Sequence, residues 1–438
     1  MAIDSKHPET QVLHAGYRAD PATGSVTVPI YQTTSYQFRD TEHAANLFAL
    51  KEFGNIYTRI GNPTTDVLEQ RMAALEGGAA ALAVASGQAA SAFAIQNIAQ
   101  AGDNIVSATD LYGGTWNLFN NTLKTMGIET RFVDPTDPEG FNRATDARTR
   151  AYYAETLPNP KLKVFPIQEV ADIGRSLGVP LIMDNTAAPV LCKPLQHGAA
   201  IVVYSTTKYI GGHGTSIGGM VIDGGNFDWE KHADRFPMLN QPDPSYHGAV
   251  WTEAVKPLGP VAYIIKMRVT LLRDLGAAMS PFNAFQFIQG LETLPLRIRE
   301  HSKNAQAVAD YLKGHPAVTK VIFPTMHGDK EQKRRAETYL KGGFGGLVGF
   351  ELKGGREAGR RFIDALRMFY HVANIGDARS LAIHPASTTH SQLSPEEQRA
   401  TGVSEGYVRL SVGLEHIDDI LSDLTQALDV ADQVTLAA

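Results

Sequence analysis

VPLIMDNTAAPVLCKPLQHGAAIVVYSTTKYIGGHGTSIGG, residues 179–219, contains two short apolar runs, each leading to a residue able to do chemistry. The first, Leu181 to Asp184, closes on a carboxylate. The second, Ile201 to Tyr204, passes through Ser205 and Thr207 to Lys208 and then into a glycine-rich loop. Short apolar runs bounded by Gly and Pro read as strands of a buried, parallel sheet. In such sheets ligands bind at the common edge where strands end.

The same rhythm extends upstream. Ala81 to Ala85, Asn104 to Ser107, Thr130 to Val133 and Arg150 to Glu155 are further short β-rich runs, most of them separated by helical stretches. Asp66 to Leu75 reads as a helix closed by Gly77 and Gly78. Alternation of this kind predicts an α/β fold with a mostly parallel central sheet. Residues 1–60 read as an irregular arm, 61–265 as the main α/β domain, and 266–438 as a smaller α/β C-terminal domain. Within 225–260 the chain is rich in aromatics and Pro, which suggests a long ordered excursion. A largely helical stretch follows to about Lys313. The tail offers strands at Leu347 to Leu352 and Tyr407 to Val412, and a last helix with Ile417, Ile420, Leu421, Leu424 and Leu428 on one face.

Composition narrows the function classes. The chain has 438 residues, enough for two or three domains, and a formal net charge of −6, so no global basic field draws it to nucleic acid or membrane. One cysteine, Cys192, rules out an intrachain disulfide and suits a reducing compartment. The start MAIDSKHPETQ lacks the marks of a signal peptide, and no run of about 18 apolar residues is present. A cytoplasmic protein is expected.

Each candidate residue has a plain reading beside its functional one. Lys208 alone would be an ordinary surface lysine. Flanked by hydroxyls and glycines, it can form an imine once burial lowers its pKa, while the hydroxyls and loop amides can hold a phosphate. Asp184 is either a helix cap or a charged partner for a ligand. Ser86-Gly87-Gln88 joins a strand to an Ala-rich helix, whose first amides make an anion site unless the turn is merely structural. Tyr112 precedes two glycines and could stack on a ring, although an aromatic there is more often core. Cys192 reads as a small buried residue. His213, His384 and His390 lie near these motifs without metal-ligand spacing, so no metal is expected. A dinucleotide site fares poorly: Gly212, Gly214 and Gly218 miss the G-x-G-x-x-G spacing by one residue. No G-x-x-x-x-G-K-[ST] loop occurs. A scaffold that had merely kept the fold would have no need to keep Lys208, Asp184 and Arg409 together.

Taken together, Lys208, Asp184, Ser86-Gly87 and Tyr112 resemble the Cys/Met-metabolism enzymes of fold type I, which use pyridoxal 5′-phosphate (PLP), and the resemblance runs from about residue 9 to the last helix. It implies that Lys208 carries PLP as a Schiff base and shuttles protons, with Asp184 paired to the pyridine nitrogen and Tyr112 stacked on the ring. The phosphate would be held by Gly87 and Gln88 beside Ser86, with Ser205 and Thr207. Asn159 would lie near the ring oxygen. Tyr57 and Arg59, in NIYTRIGNPTTDVLE, would reach the site of a neighbouring subunit, which requires at least a dimer and suggests a tetramer built from dimers. Arg409, in YVRLSVGLE, would grip the substrate α-carboxylate. Independently, an arginine inside an apolar strand needs a buried anion. Alternation places it with Tyr407 and Ser411, opposite Val408, Leu410 and Val412; the plain reading is a salt bridge to Glu415.

Within the family, no cysteine follows Tyr112, which argues against a methionine γ-lyase. Gly376-Asp377-Ala378-Arg379-Ser380-Leu381 and the 225–260 excursion are similar to the O-acetylhomoserine sulfhydrylases. The implied reaction, in methionine biosynthesis, replaces acetate on O-acetyl-L-homoserine by sulfide or methanethiol. O-succinylhomoserine sulfhydrylase and cystathionine γ-synthase or γ-lyase activities are the alternatives. Arg379 is either a second anion contact or a structural salt bridge.

Overall fold

The computed structural model describes residues 5–52, 54–388 and 402–437. Its centre is a seven-stranded sheet: β1 Ala80–Val84, β2 Asn104–Ala108, β3 Glu129–Val133, β4 Thr149–Glu155, β5 Leu181–Asp184, β6 Ile201–Ser205 and β7 Gly219–Asp223, in the order β1-β7-β6-β5-β4-β2-β3. β3, β2, β4, β5 and β6 run parallel, and β7 is antiparallel to both its neighbours. β2, β4 and β7 are buried along their whole length, so they show no regular alternation of buried and exposed residues, as expected of strands covered on both faces. The α/β expectation with a mostly parallel sheet holds.

Helix starts and stops follow the local chemistry. The helix Pro63–Glu76 opens with Asn62, whose side chain accepts the Thr64 N–H at 2.9 Å, and closes on Gly77 at φ 75°. Losing such a cap costs about 1 kcal/mol. The helix Gly87–Gln96 opens with Ser86, whose hydroxyl accepts the Ala89 N–H at 3.1 Å.

A second sheet of five strands, β8 Val318–Ile322, β9 Leu347–Leu352, β10 Tyr370–His371, β11 Leu381–Ile383 and β12 Tyr407–Ser411, has the order β10-β11-β12-β9-β8. Val408, Leu410 and Val412 pack into its core with Ile420, Leu424 and Leu428 of the last helix. Arg409 faces the other way.

Three expectations change. The arm 1–60 is not wholly irregular: Pro8–His14 and Thr41–Phe48 are helices, and Val12 is buried in the main core. Pro at N1 and an Asp40 cap mark these helices, but both are short, so periodicity carried little signal. The boundary at 265/266 falls inside continuous helical backbone, Ala262 to Leu275, whose Ile264, Met267 and Leu272 pack under the large sheet. The excursion also joins that core: Trp229, Phe236 and Trp251 are buried there, and Trp229 stacks on Tyr263 at 5.3 Å. β7 was not expected from the sequence, where only four residues, Met220 to Asp223, separate two glycine pairs. No helix among the described residues is long and apolar enough to cross a membrane.

Candidate active site

The ends of β4, β5 and β6 meet the helix start at Gly87 and one edge of β12 around a cavity of about 300 Å3. Lining it are Ser86, Gly87, Gln88, Tyr112, Asn159, Asp184, Ser205, Thr207, Lys208 and Arg409, every predicted site residue except Tyr57 and Arg59. A larger, more open groove of about 620 Å3 lies around Glu69 and Arg268. Arg268 there meets Glu69 at 2.5 Å, and the groove holds none of the strand-end residues.

Lys208 follows β6. Its backbone N–H donates to Ser205 O at 3.2 Å, its carbonyl accepts from the Gly212 N–H at 2.8 Å, and its Nζ donates to Asn374 Oδ1 at 2.6 Å. Burial lowers its pKa, and the Arg409 charge lowers it further, so more of the amine is free base near neutrality than in water. Thr207 Oγ1 accepts the Gly218 N–H at 3.1 Å, tying the glycine-rich loop back to the strand end. The helix N-terminus at Gly87 sits against β6: a Cβ on Gly87 would lie 2.6 Å from Ser205 Cβ, so only glycine allows this approach. The first amides of that helix have no partner within it.

Asp184 ends β5 and accepts the Thr186 N–H at 2.9 Å. Burial raises its pKa while Thr186 pulls it back. Arg409 donates to Asn374 O at 2.9 Å, makes no ion pair among the described residues, and leaves Nε buried without a partner. The expected rival, Glu415, is occupied elsewhere: it accepts from Ser380 N at 2.7 Å and Ser380 Oγ at 2.8 Å. Asn159 Oδ1 is likewise buried and unpartnered. Orphaned buried polar atoms of this kind call for a ligand. An anion site at a helix start, an amine, a strand-end carboxylate and a guanidinium around one cavity fit the phosphate, carbonyl and pyridine nitrogen of PLP together with a substrate carboxylate.

Tyr57 and Arg59 lie outside this cavity. Tyr57 is 39% exposed, with the Arg59 guanidinium 5.2 Å over its ring, and Arg59 also donates to Arg273 O. Arg379 is a salt bridge, its Nε 2.8 Å from Asp377 Oδ1. Cys192 is buried, as expected. His213 bonds Gly211 O, and His384 bonds Ser387 and Glu405 O, while His390 lies outside the described residues. Among the described residues no cluster of His, Cys, Asp or Glu could hold a metal.

Of the lining residues that the sequence reading did not single out, two bear directly on the chemistry, Glu155 and Asn374. Glu155 ends a run already read as a strand, and a carboxylate at the strand-end edge was the available signal. Asn374 gave none, since it reaches the cavity from the C-terminal part of the chain.

The family model for Cys/Met metabolism PLP-dependent enzymes matches residues 9–429. An O-acetyl-L-homoserine sulfhydrylase from Leptospira meyeri is 56% identical over 427 residues, 96% of each chain. O-acetyl-L-homoserine sulfhydrylase 1 of Thermus thermophilus is 53% identical, across 96% of this chain and 99% of its own. A crystal structure of an O-acetylhomoserine (thiol)-lyase from Campylobacter jejuni, with a pyridoxyl-lysine monophosphate in its chain, matches with a TM-score of 0.92 at 42% identity, covering 97% of this chain and 100% of that one.

Proposed function

This chain belongs to the Cys/Met metabolism PLP-dependent enzyme family, and from that premise we propose that it replaces the acetate of O-acetyl-L-homoserine with sulfide, giving homocysteine and acetate. Methanethiol in place of sulfide would give methionine. The observation that carries this reading is the pairing, in one cavity, of the Lys208 amine with an unpaired buried guanidinium at Arg409. One supplies the base and the other the grip on an amino-acid carboxylate. The activity named for the Leptospira relative supports the choice of substrate.

PLP, when bound, supplies an electron sink for the negative charge left at Cα. The residues do the rest. Acetate leaves from Cγ, so protons must first leave Cα and then Cβ. Among the described lining residues Lys208 carries the only amine, and its lowered pKa suits it to both removals and to the returns. Arg409 holds the α-carboxylate with its planar fork. Asp184 would place negative charge at the ring nitrogen; Gly87, Gln88, Ser205 and Thr207 would hold the phosphate, Tyr112 would cover the ring, and Asn159 would take the ring oxygen. Steady-state rates with acetyl- and succinyl-homoserine, each against sulfide, methanethiol and cysteine, test the reaction. A preference for the succinyl ester, or for cysteine, would overturn it. In the same assay Arg409→Lys should raise KM for the amino acid roughly 10- to 100-fold, because a point charge replaces a two-pronged hydrogen bond. KM for sulfide and PLP content should stay close to wild type. Loss of PLP with an unchanged amino-acid KM would make Arg409 structural instead.

The proposed working unit is a cytoplasmic dimer with shared sites, paired into a tetramer. Tyr57 and Arg59 lie outside their own chain's cavity, and Val26 and Phe48 of the same arm are 82% and 57% exposed; uncovered apolar side chains on an arm suit a partner surface. Mixing Arg59→Ala with Lys208→Ala chains should then regain activity, approaching roughly a quarter of wild-type sites for random pairing in two-fold dimers. No recovery, with subunit exchange verified, would count against shared sites.

A further inference from the structure

β4 and β5 pair in parallel with Glu155 opposite Asp184, so the two carboxylates stand at the ends of adjacent strands, and both line the cavity. Adjacent strands are only about 4.8 Å apart. Two carboxylates that close, away from bulk water, do not both ionise readily. Their surroundings differ. Asp184 receives hydrogen bonds from the backbone and side chain of Thr186. The Thr186 hydroxyl is free to donate its proton there because it accepts from Ser205 N, at 2.8 Å. Glu155 receives one backbone bond, from the Tyr112 N–H at 2.5 Å. The next acid along, Asp110, is held by Lys161 at 2.7 Å and adds a further negative charge near Glu155.

We propose that Glu155 is a positioning residue that stays uncharged beside the Asp184 carboxylate and holds the backbone of Tyr112 at the cavity. Its neutrality leaves Asp184 as the negative charge available to the ring nitrogen. Its oxygen fixes the turn that carries Tyr112, a side chain otherwise 57% exposed. Burial and the Asp184 charge both push its pKa well above the usual carboxylate range, in keeping with this role. The proposal rests on the PLP reading of the cavity. Glu155 is faced by Asp184 from β5, Asp110 and Tyr112 from the segment after β2, and Tyr153 on its own strand, while Lys208 and Arg409 also line the cavity.

The test compares Glu155→Gln with Glu155→Ala in the holoenzyme. An amide reproduces the neutral acid, with one oxygen to accept from Tyr112 and hydrogens to donate, and it cannot ionise. Glu155→Gln should bind PLP within about twofold of wild type, whereas Glu155→Ala, which strands a backbone donor, should bind roughly 10- to 100-fold more weakly. Because Glu155 gives up its proton only as pH rises above the usual carboxylate range, the wild-type visible absorbance should show one pH inflection that Glu155→Gln lacks. If the alanine variant does not fold, Glu155→Asp, too short to reach Tyr112, takes its place. Equal PLP affinities for the glutamine and shortened variants, or identical titrations of wild type and Glu155→Gln, would overturn the proposal while leaving the PLP site in place. A wild-type chain that takes up no PLP would overturn the cavity reading and this proposal with it.

Discussion

Lys208→Ala leaves a folded chain that turns over at least about 10^2- to 10^4-fold more slowly, the span that a positioned acid–base group contributes. The loss should exceed that span if the covalent hold on PLP also matters to the rate. Folding is expected to survive because the backbone keeps its ties to Ser205 and Gly212, and the side chain has a single hydrogen-bond partner, Asn374. Truncation therefore removes one buried amine and frees one amide oxygen that can take water in the opened cavity. Burial and the nearby Arg409 charge disfavour the protonated amine, so the wild-type side chain is poised to form an imine near neutral pH, where a solvated lysine is almost fully protonated. Two readouts check this. Wild type should be yellow, and the visible absorbance of lysine-bound PLP should vanish in Lys208→Ala. Normal turnover by the alanine variant would remove Lys208 from the mechanism, whatever its colour.

The cavity was legible where the chemistry follows from one strand and its flanks. Asp184 closes one short apolar run and Lys208 follows another by a few residues, with Gly and Pro on the flanks, so strand, sheet edge and reactive group are read from a few consecutive residues. Arg409 was legible for a related reason: alternation along β12 separates it from the apolar face, and the structure leaves its Nε unpartnered as that separation demands. What sequence could not supply was register. Glu155 sits in a segment already read as strand, yet its meaning depends on β4 lying beside β5 with those two ends level. Asn374 meets Lys208 across 166 positions of sequence, and nothing local marks it. The insertion of β7 between β1 and β6 is a similar case: sheet order is set by the packing of the whole domain, not by the five residues that form the strand.

Asp184→Asn should slow Cα-proton removal by about 10^2-fold, the scale seen when one preorganised electrostatic contact is lost from an active site, with the fold intact. Asparagine keeps an oxygen to accept the Thr186 N–H that Asp184 now takes at 2.9 Å, so the turn after β5 should survive. The loss is of charge: without a carboxylate the ring nitrogen gives up its proton more readily and withdraws electrons less well. Deuterium washout from the α-position of the substrate measures this step apart from acetate release, and a wild-type exchange rate in Asp184→Asn would refute the assignment. The neighbouring acid complicates the outcome in a definite direction. The Asp184 charge is one of the two largest influences holding Glu155 protonated, so removing it lets Glu155 ionise at lower pH. A carboxylate one strand over can then replace part of the missing charge, more so as pH rises. Asp184→Asn should accordingly recover some exchange activity toward alkaline pH, and adding Glu155→Gln should abolish that recovery. The double variant then falls below the product of the two single effects, the non-additivity expected of groups in direct electrostatic contact.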